Sequence, residues 1–261
     1  MLNLKNLISC GLSLALVSAI GLSSAHASAL TDSLINRPGF SYNPGNSYDG
    51  PGRDSLSFFT SYGDGKVYQL GTIASQPVAT TYTAFLISEL ACFSGDDANF
   101  QGAFTNKFGH EDVGGTFVSS IDSDNINPVA SASFTQEAGQ DFNFALKSPE
   151  GLFYGKDSLN TDGASAHMLA LNVTTAGTIN IGESTLFGNG PISFNLEVGD
   201  VILFMEDMKF NGNTFIPLNS DFDYNDMVVV LRASAIPEPT TMALLSLGVL
   251  GGVMRRRKAC L

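Results

Sequence analysis

The chain has 261 residues, 44% apolar and 15% charged, a globular composition long enough for one sizeable core. Its formal net charge of −12 excludes nucleic acid and anionic membrane surfaces as natural partners. Three cysteines, Cys10, Cys92 and Cys260, are spread over the two ends and the middle, which excludes a disulfide scaffold.

Residues 1–27 have the anatomy of a secretory signal helix delivered to the Sec translocon. Lys5 supplies the positive start, Leu7 to Leu22 the apolar stretch, and Ala25-His26-Ala27 the small-x-small cleavage site. Leu7-Ile8-Ser9-Cys10 has the outline of a lipobox, but it lies ahead of the apolar stretch and so fits poorly. With both ends trimmed, residues 28 to 237 hold 8 basic residues against 24 acidic ones, a net −16. Such acidity favours divalent cations, and it also keeps a secreted protein soluble.

The region 28–235 reads as one secreted domain. Pro, Gly and Asn dominate residues 36–53, an opening loop. Short apolar or alternating runs then recur between turn signals. They are Leu56 to Thr60, Lys66 to Ile73, Tyr82 to Leu90, Gly115 to Ser120, Val129 to Phe134, Phe142 to Leu146, Met168 to Val173, Thr178 to Ile181, Ile192 to Leu196, Val201 to Met205 and Met227 to Leu231. Tyr82 to Phe93 also admits a short helix. Cys92, within the apolar run Leu86 to Phe93, fits a small buried thiol. The pattern predicts an all-β, antiparallel sandwich or jelly roll. Val201 to Met205 and Met227 to Leu231 are unbroken apolar runs, expected as central strands buried on both faces. If they pair as antiparallel neighbours, Glu206-Asp207 and the acids before Met227 meet at one end of the sheet.

The segment Asp221-Phe222-Asp223-Tyr224-Asn225-Asp226 is the densest set of oxygen donors. On an extended backbone Asp221, Asp223 and Asn225 share one side, while Phe222 and Tyr224 pack on the other. Clustered hard oxygens are what Ca²⁺ requires, so Glu206, Asp207, Asp221, Asp223, Asn225 and Asp226 form the candidate metal set. Asp226 stands where a calcium-loop glycine belongs and Arg232 where its bidentate Glu belongs, which excludes an EF-hand. The same residues also suit turn capping through side-chain to backbone bonds. Two further acidic runs, Asp96 to Asn99 and Asp122 to Asn127, read as solvated loops. His167, beside Met168, reads as a half-buried structural imidazole.

The last segment, 236–261, opens with Pro237-Glu238-Pro239, whose prolines keep the backbone extended. Thr241 to Met254 follows, an apolar helix of about 21 Å against a bilayer core of about 30 Å. Arg255, Arg256, Arg257 and Lys258 then supply a cytoplasmic anchor, which suits transient membrane anchoring. This three-part ending resembles the PEP-CTERM sorting signal of Gram-negative bacteria. The resemblance implies cleavage by an exosortase and a life at the cell surface or in an exopolysaccharide matrix.

A second resemblance runs through residues 150–233, to the bacterial "domain of unknown function 4114" family. It is carried by Leu159-Asn160, Asp162-Gly163 and His167, by Leu203-Phe204-Met205-Glu206-Asp207, and by Asp221 to Val230. It implies an all-β surface domain whose acids serve metal binding or an enzyme.

Three functions fit. The first is a non-catalytic surface or matrix protein, calcium-stabilised. The second is a carbohydrate-binding module for the matrix polysaccharide, weakened by the absence of Trp. The third is a glycosidase using carboxylates such as Glu206 and Asp226. Neither a nucleophile elbow, zinc spacing nor a phosphate-binding loop is present. Exosortase processing predicts that mass spectrometry of the surface form finds residues 243–261 absent; an intact tail contradicts it.

Overall fold

The computed structural model describes residues 30–37, 59–88, 106–112, 114–122, 130–162, 166–181, 192–207, 224 and 226–235. The signal segment, the sorting tail, Cys92 and the run Asp96 to Asn99 lie outside them. Among the described residues helix is confined to single turns, and thirteen strands form three antiparallel sheets.

The largest sheet has seven strands. They are β1 (Leu34–Asn36), β2 (Tyr68–Leu70), β9 (Met168–Asn172), β12 (Val201–Met205), β13 (Met227–Ala235), β3 (Thr80–Ser88) and β6 (Ser131–Gln136), in that spatial order. A second sheet orders β5 (Phe117–Asp122), β4 (Lys107–Glu111), β7 (Asn143–Ser148) and β8 (Gly151–Tyr154). The hairpin β10 (Gly177–Ile181) and β11 (Ile192–Leu196) is separate.

Strand alternation explains how these layers stack. In β12, Val201, Leu203 and Met205 join one core, while Ile202 and Phe204 join another. Its neighbour β13 divides the same way, with Met227, Val229 and Leu231 against Val228 and Val230. The first core also takes Phe108 of β4, Phe144 and Leu146 of β7 and Phe153 of β8, so the two large sheets face each other. The second core takes Ile179 and Leu196, so the β10–β11 hairpin covers the outer face. Both middle strands are therefore sealed on both faces, as their unbroken apolar runs require. Each buried Val, Leu, Ile or Met contributes about 1.5–3 kcal/mol. The expected pairing of β12 with β13 is present, with Met205 opposite Met227.

Three strands are absent from the sequence expectation: β1, β4 and β8. Strand β4 (Lys-Phe-Gly-His-Glu) carries charges at both ends and a central glycine, so it does not read as a strand. Gly109 is needed there, because a Cβ would lie 2.1 Å from the Val118 carbonyl oxygen of β5. The run from Leu56 instead ends in a helical turn at Thr60–Tyr62. Through Ser88, the run from Tyr82 is strand rather than helix. Pairing to both β13 and β6 decides this over local propensity.

His110 lies inside the facing sheets, its ring 4.5 Å from Phe142 and 5.1 Å from Phe134. Its Nδ1 is buried with no hydrogen-bond partner among the described residues. Burial holds this imidazole below its ordinary value, against the opposing pull of Asp112. The unfolded chain therefore takes up a proton as pH falls through about 6.5, and the folded one does so only at lower pH. Stability falls with pH across that window. Thermal melts of His110→Phe should lose less stability than wild type between pH 7.5 and 5.5, with a gain of about 1 kcal/mol at the acid end. An unchanged pH slope would contradict this.

Candidate cation site between the sheets

The strand register builds the site. Met205 of β12 pairs with Met168 of β9 on one side and Met227 of β13 on the other. The next residues outward are therefore His167, Glu206 and Asp226, side by side at one end of the large sheet. The backbone continues that ladder, as the Glu206 N–H donates to the His167 carbonyl at 2.9 Å.

Glu206, Asp207 and Asp226 are buried, at 0%, 1% and 8% exposure. One carboxylate oxygen from each lies within 4.8 Å of the other two. Two oxygens on one Ca²⁺, each at about 2.4 Å, lie at most about 4.8 Å apart, so the spacing fits a shared ion. An all-carboxylate donor set suits a hard cation rather than zinc or copper.

Asp207 is tied in three directions. Its N–H donates to Asp226 Oδ2 at 2.8 Å. Its Oδ2 accepts from Asn106 Nδ2 at 2.8 Å, and its carbonyl accepts from Ser148 Oγ at 2.8 Å. Asn106 immediately precedes β4 and Ser148 ends β7, so the second sheet holds Asp207 at the junction of both sheets.

His167 is fully buried rather than half-buried, because Phe153 of β8 stacks on its ring at 3.8 Å. Its Nδ1 lies 3.2 Å from the Glu206 carbonyl. A carbonyl only accepts, so Nδ1 carries the proton in this bond. Nε2 lies 2.7 Å from Asp162 Oδ2. Burial lowers the His167 pKa, and the Asp162 bond opposes that fall. The imidazole thus links Asp162 to the backbone of Glu206, which is a positioning role.

A half-buried ion pair borders the site. Arg37 bonds Asp157, whose carboxyl is pushed up by burial and pulled back by Arg37 and His167. Asn160 mimics a strand partner to Tyr154, accepting its N–H at 2.7 Å and donating to its carbonyl at 3.1 Å.

Tyr224 departs from the expected extended backbone. Its φ is +55°, in the left-handed region, a conformation uncommon for a bulky residue. What holds it is burial in the outer core and an O–H donated to the Ala166 carbonyl at 2.8 Å. Burial and the nearby Glu206 charge raise its hydroxyl pKa. The aromatic does pack, as expected, but the backbone turns beneath it. Asp221, Asp223 and Asn225 lie outside the described residues.

Of the six expected metal residues, the structure brings Glu206, Asp207 and Asp226 together. Sequence reasoning missed Asn106 and Ser148. Their only signal is proximity to β4 and β7, and β4 is itself illegible. Arg232 lies further along β13, away from the cluster, and pairs with Asp200 at 2.7 Å and Glu197 at 2.7 Å.

Residues 235–258 match the PEP-CTERM protein-sorting motif. The motif marks a protein that exosortase sorts to the cell surface or extracellular space of a Gram-negative bacterium. It includes Pro237, Glu238, Pro239 and Arg255, Arg256 and Arg257. No curated protein matches the chain significantly. The motif begins at the last residue of β13, so the tail departs from the end of that strand opposite the acidic cluster. No helix among the described residues is long and apolar enough to cross a membrane, and the two apolar end segments lie outside those residues.

Proposed function

We propose that this chain is a non-catalytic cell-surface or exopolysaccharide-matrix protein whose β-sandwich domain is locked by a calcium ion. Glu206, Asp207 and Asp226 are its central ligands, and Asp221, Asp223 and Asn225 of the adjoining segment add oxygens. The observation that carries this reading is the burial of three carboxylates within 4.8 Å of one another. Like charges that close disfavour joint ionisation, and a divalent cation reverses the sign of the interaction. The likeness to the unknown-function family, whose acids serve metal binding or an enzyme, includes the acids of this cluster.

One feature speaks against a hydrolase: Glu206 and Asp226 are almost wholly shielded from solvent. A carbohydrate-binding module draws no support from the exposed large apolar side chains among the described residues, Ile35, Val118, Leu159 and Val198, none of which is aromatic.

The test is a thermal melt of the full chain in EDTA, then in Ca²⁺. Extracellular calcium modules bind at about 10⁻⁴–10⁻³ M. At about 100 times the dissociation constant, linkage adds roughly 2.7 kcal/mol, a rise of about 5–10 °C for a domain of this size. A midpoint that moves by less than about 1 °C at ~10 mM Ca²⁺ contradicts the cation reading.

A further inference from the structure

Asn106 immediately precedes β4 and is fully buried, at 0% exposure. Hydrophobic packing sets its place. Phe108, two residues on, stacks on Phe144 of β7 at 5.5 Å, and both rings share the inner core with Met205, the residue before Glu206. The Asn106 amide then reaches a residue 101 positions away in the chain, donating from Nδ2 to Asp207 Oδ2 at 2.8 Å. Asp207 in turn donates its N–H to Asp226 Oδ2 at 2.8 Å. The second sheet therefore touches the three-acid cluster through a carboxylate oxygen, and the contact continues to the next acid.

A donor on one oxygen fixes the plane of a carboxylate and the directions of its other lone pairs. A neutral amide does this without adding charge to three acids already within 4.8 Å of one another. A Lys or Arg in its place would compete with a divalent ion, and an Asp or Glu would add repulsion. We infer that Asn106 is the positioning residue through which the second sheet sets the affinity of the cation site; this rests on the cation reading above. Linkage makes the effect reciprocal. If docked β4 raises the affinity for the ion, the bound ion stabilises the docking of β4 by the same factor.

The test uses the full chain solubilised in detergent, as wild type, Asn106→Leu and Ser148→Ala. Asn106→Leu keeps the volume and removes the donor. Ser148→Ala removes the bond to the Asp207 carbonyl and leaves the carboxylate bond in place. Ca²⁺ affinity is measured by calorimetric titration, and hydrogen exchange of the β4 amides is followed in EDTA and in Ca²⁺. Asn106→Leu should weaken Ca²⁺ binding by about ten- to a hundredfold. Ca²⁺ should slow β4 exchange in wild type, and by less in this variant. Ser148→Ala should melt lower in EDTA and in Ca²⁺ alike, with Ca²⁺ affinity near wild type. Four outcomes overturn the inference while leaving the cation reading intact: wild-type Ca²⁺ affinity in Asn106→Leu, a chain of that variant that folds neither in EDTA nor in Ca²⁺, an equal loss of affinity in both variants, or wild-type β4 exchange unmoved by Ca²⁺. A wild-type chain that takes up no Ca²⁺ removes the cation reading itself.

Discussion

Carboxylates buried side by side must be balanced, and that constraint organises one whole end of this molecule. Two unit charges about 4.8 Å apart repel by roughly 3 kcal/mol at an effective dielectric of about 20. Glu206, Asp207 and Asp226 meet this condition pairwise. Nothing about the local sequence obliges the chain to bury them. They are carried inward because β12 and β13 are the most apolar strands, sealed on both faces, and the acids continue those strands without a break. The hydrophobic pattern thus decides where the charges go, and the charges decide what the site requires.

The second sheet meets that requirement in part. Asn106 and Ser148 bind Asp207 by its carboxylate and its carbonyl, while His167 fixes Glu206 by its backbone. These bonds orient the acids. The neighbouring cationic group, Arg37, is paired with Asp157. On the reading proposed above, the hard oxygens gathered at this sheet junction hold a divalent ion that acts as a clasp. Strand β13 spans about 30 Å from this junction to Ala235, where the sorting motif begins, so the acidic cluster and the start of that motif lie at opposite ends of the strand.

Much of this was legible in the sequence, for physical reasons. Short, β-branched apolar runs fit strands with cover on both faces, so Val201 to Met205 and Met227 to Leu231 announce the sheet centre. Their flanking acids then follow from antiparallel pairing. The Pro-Glu-Pro, apolar and Arg-rich order is equally plain, because each part has a separate physical role. What stayed hidden depends on contacts far apart in the chain. Strand β4 has no hydrophobic run, and its glycine answers to a carbonyl of β5 rather than to a turn. Asn106 and Ser148 matter only through the second sheet's docking. Tyr224 carries no local sign of its left-handed backbone, which tertiary burial imposes. His167 shows no trace of the Phe153 ring that buries it completely.

The central claim is that the acids at the sheet junction share one hard cation. The most direct measurement is a crystal structure of the chain grown with millimolar Ca²⁺. It should show a single ion about 2.3–2.6 Å from oxygens of Glu206, Asp207 and Asp226 together. Carboxylates that instead share protons with one another, with no ion between them in saturating Ca²⁺, would contradict the account.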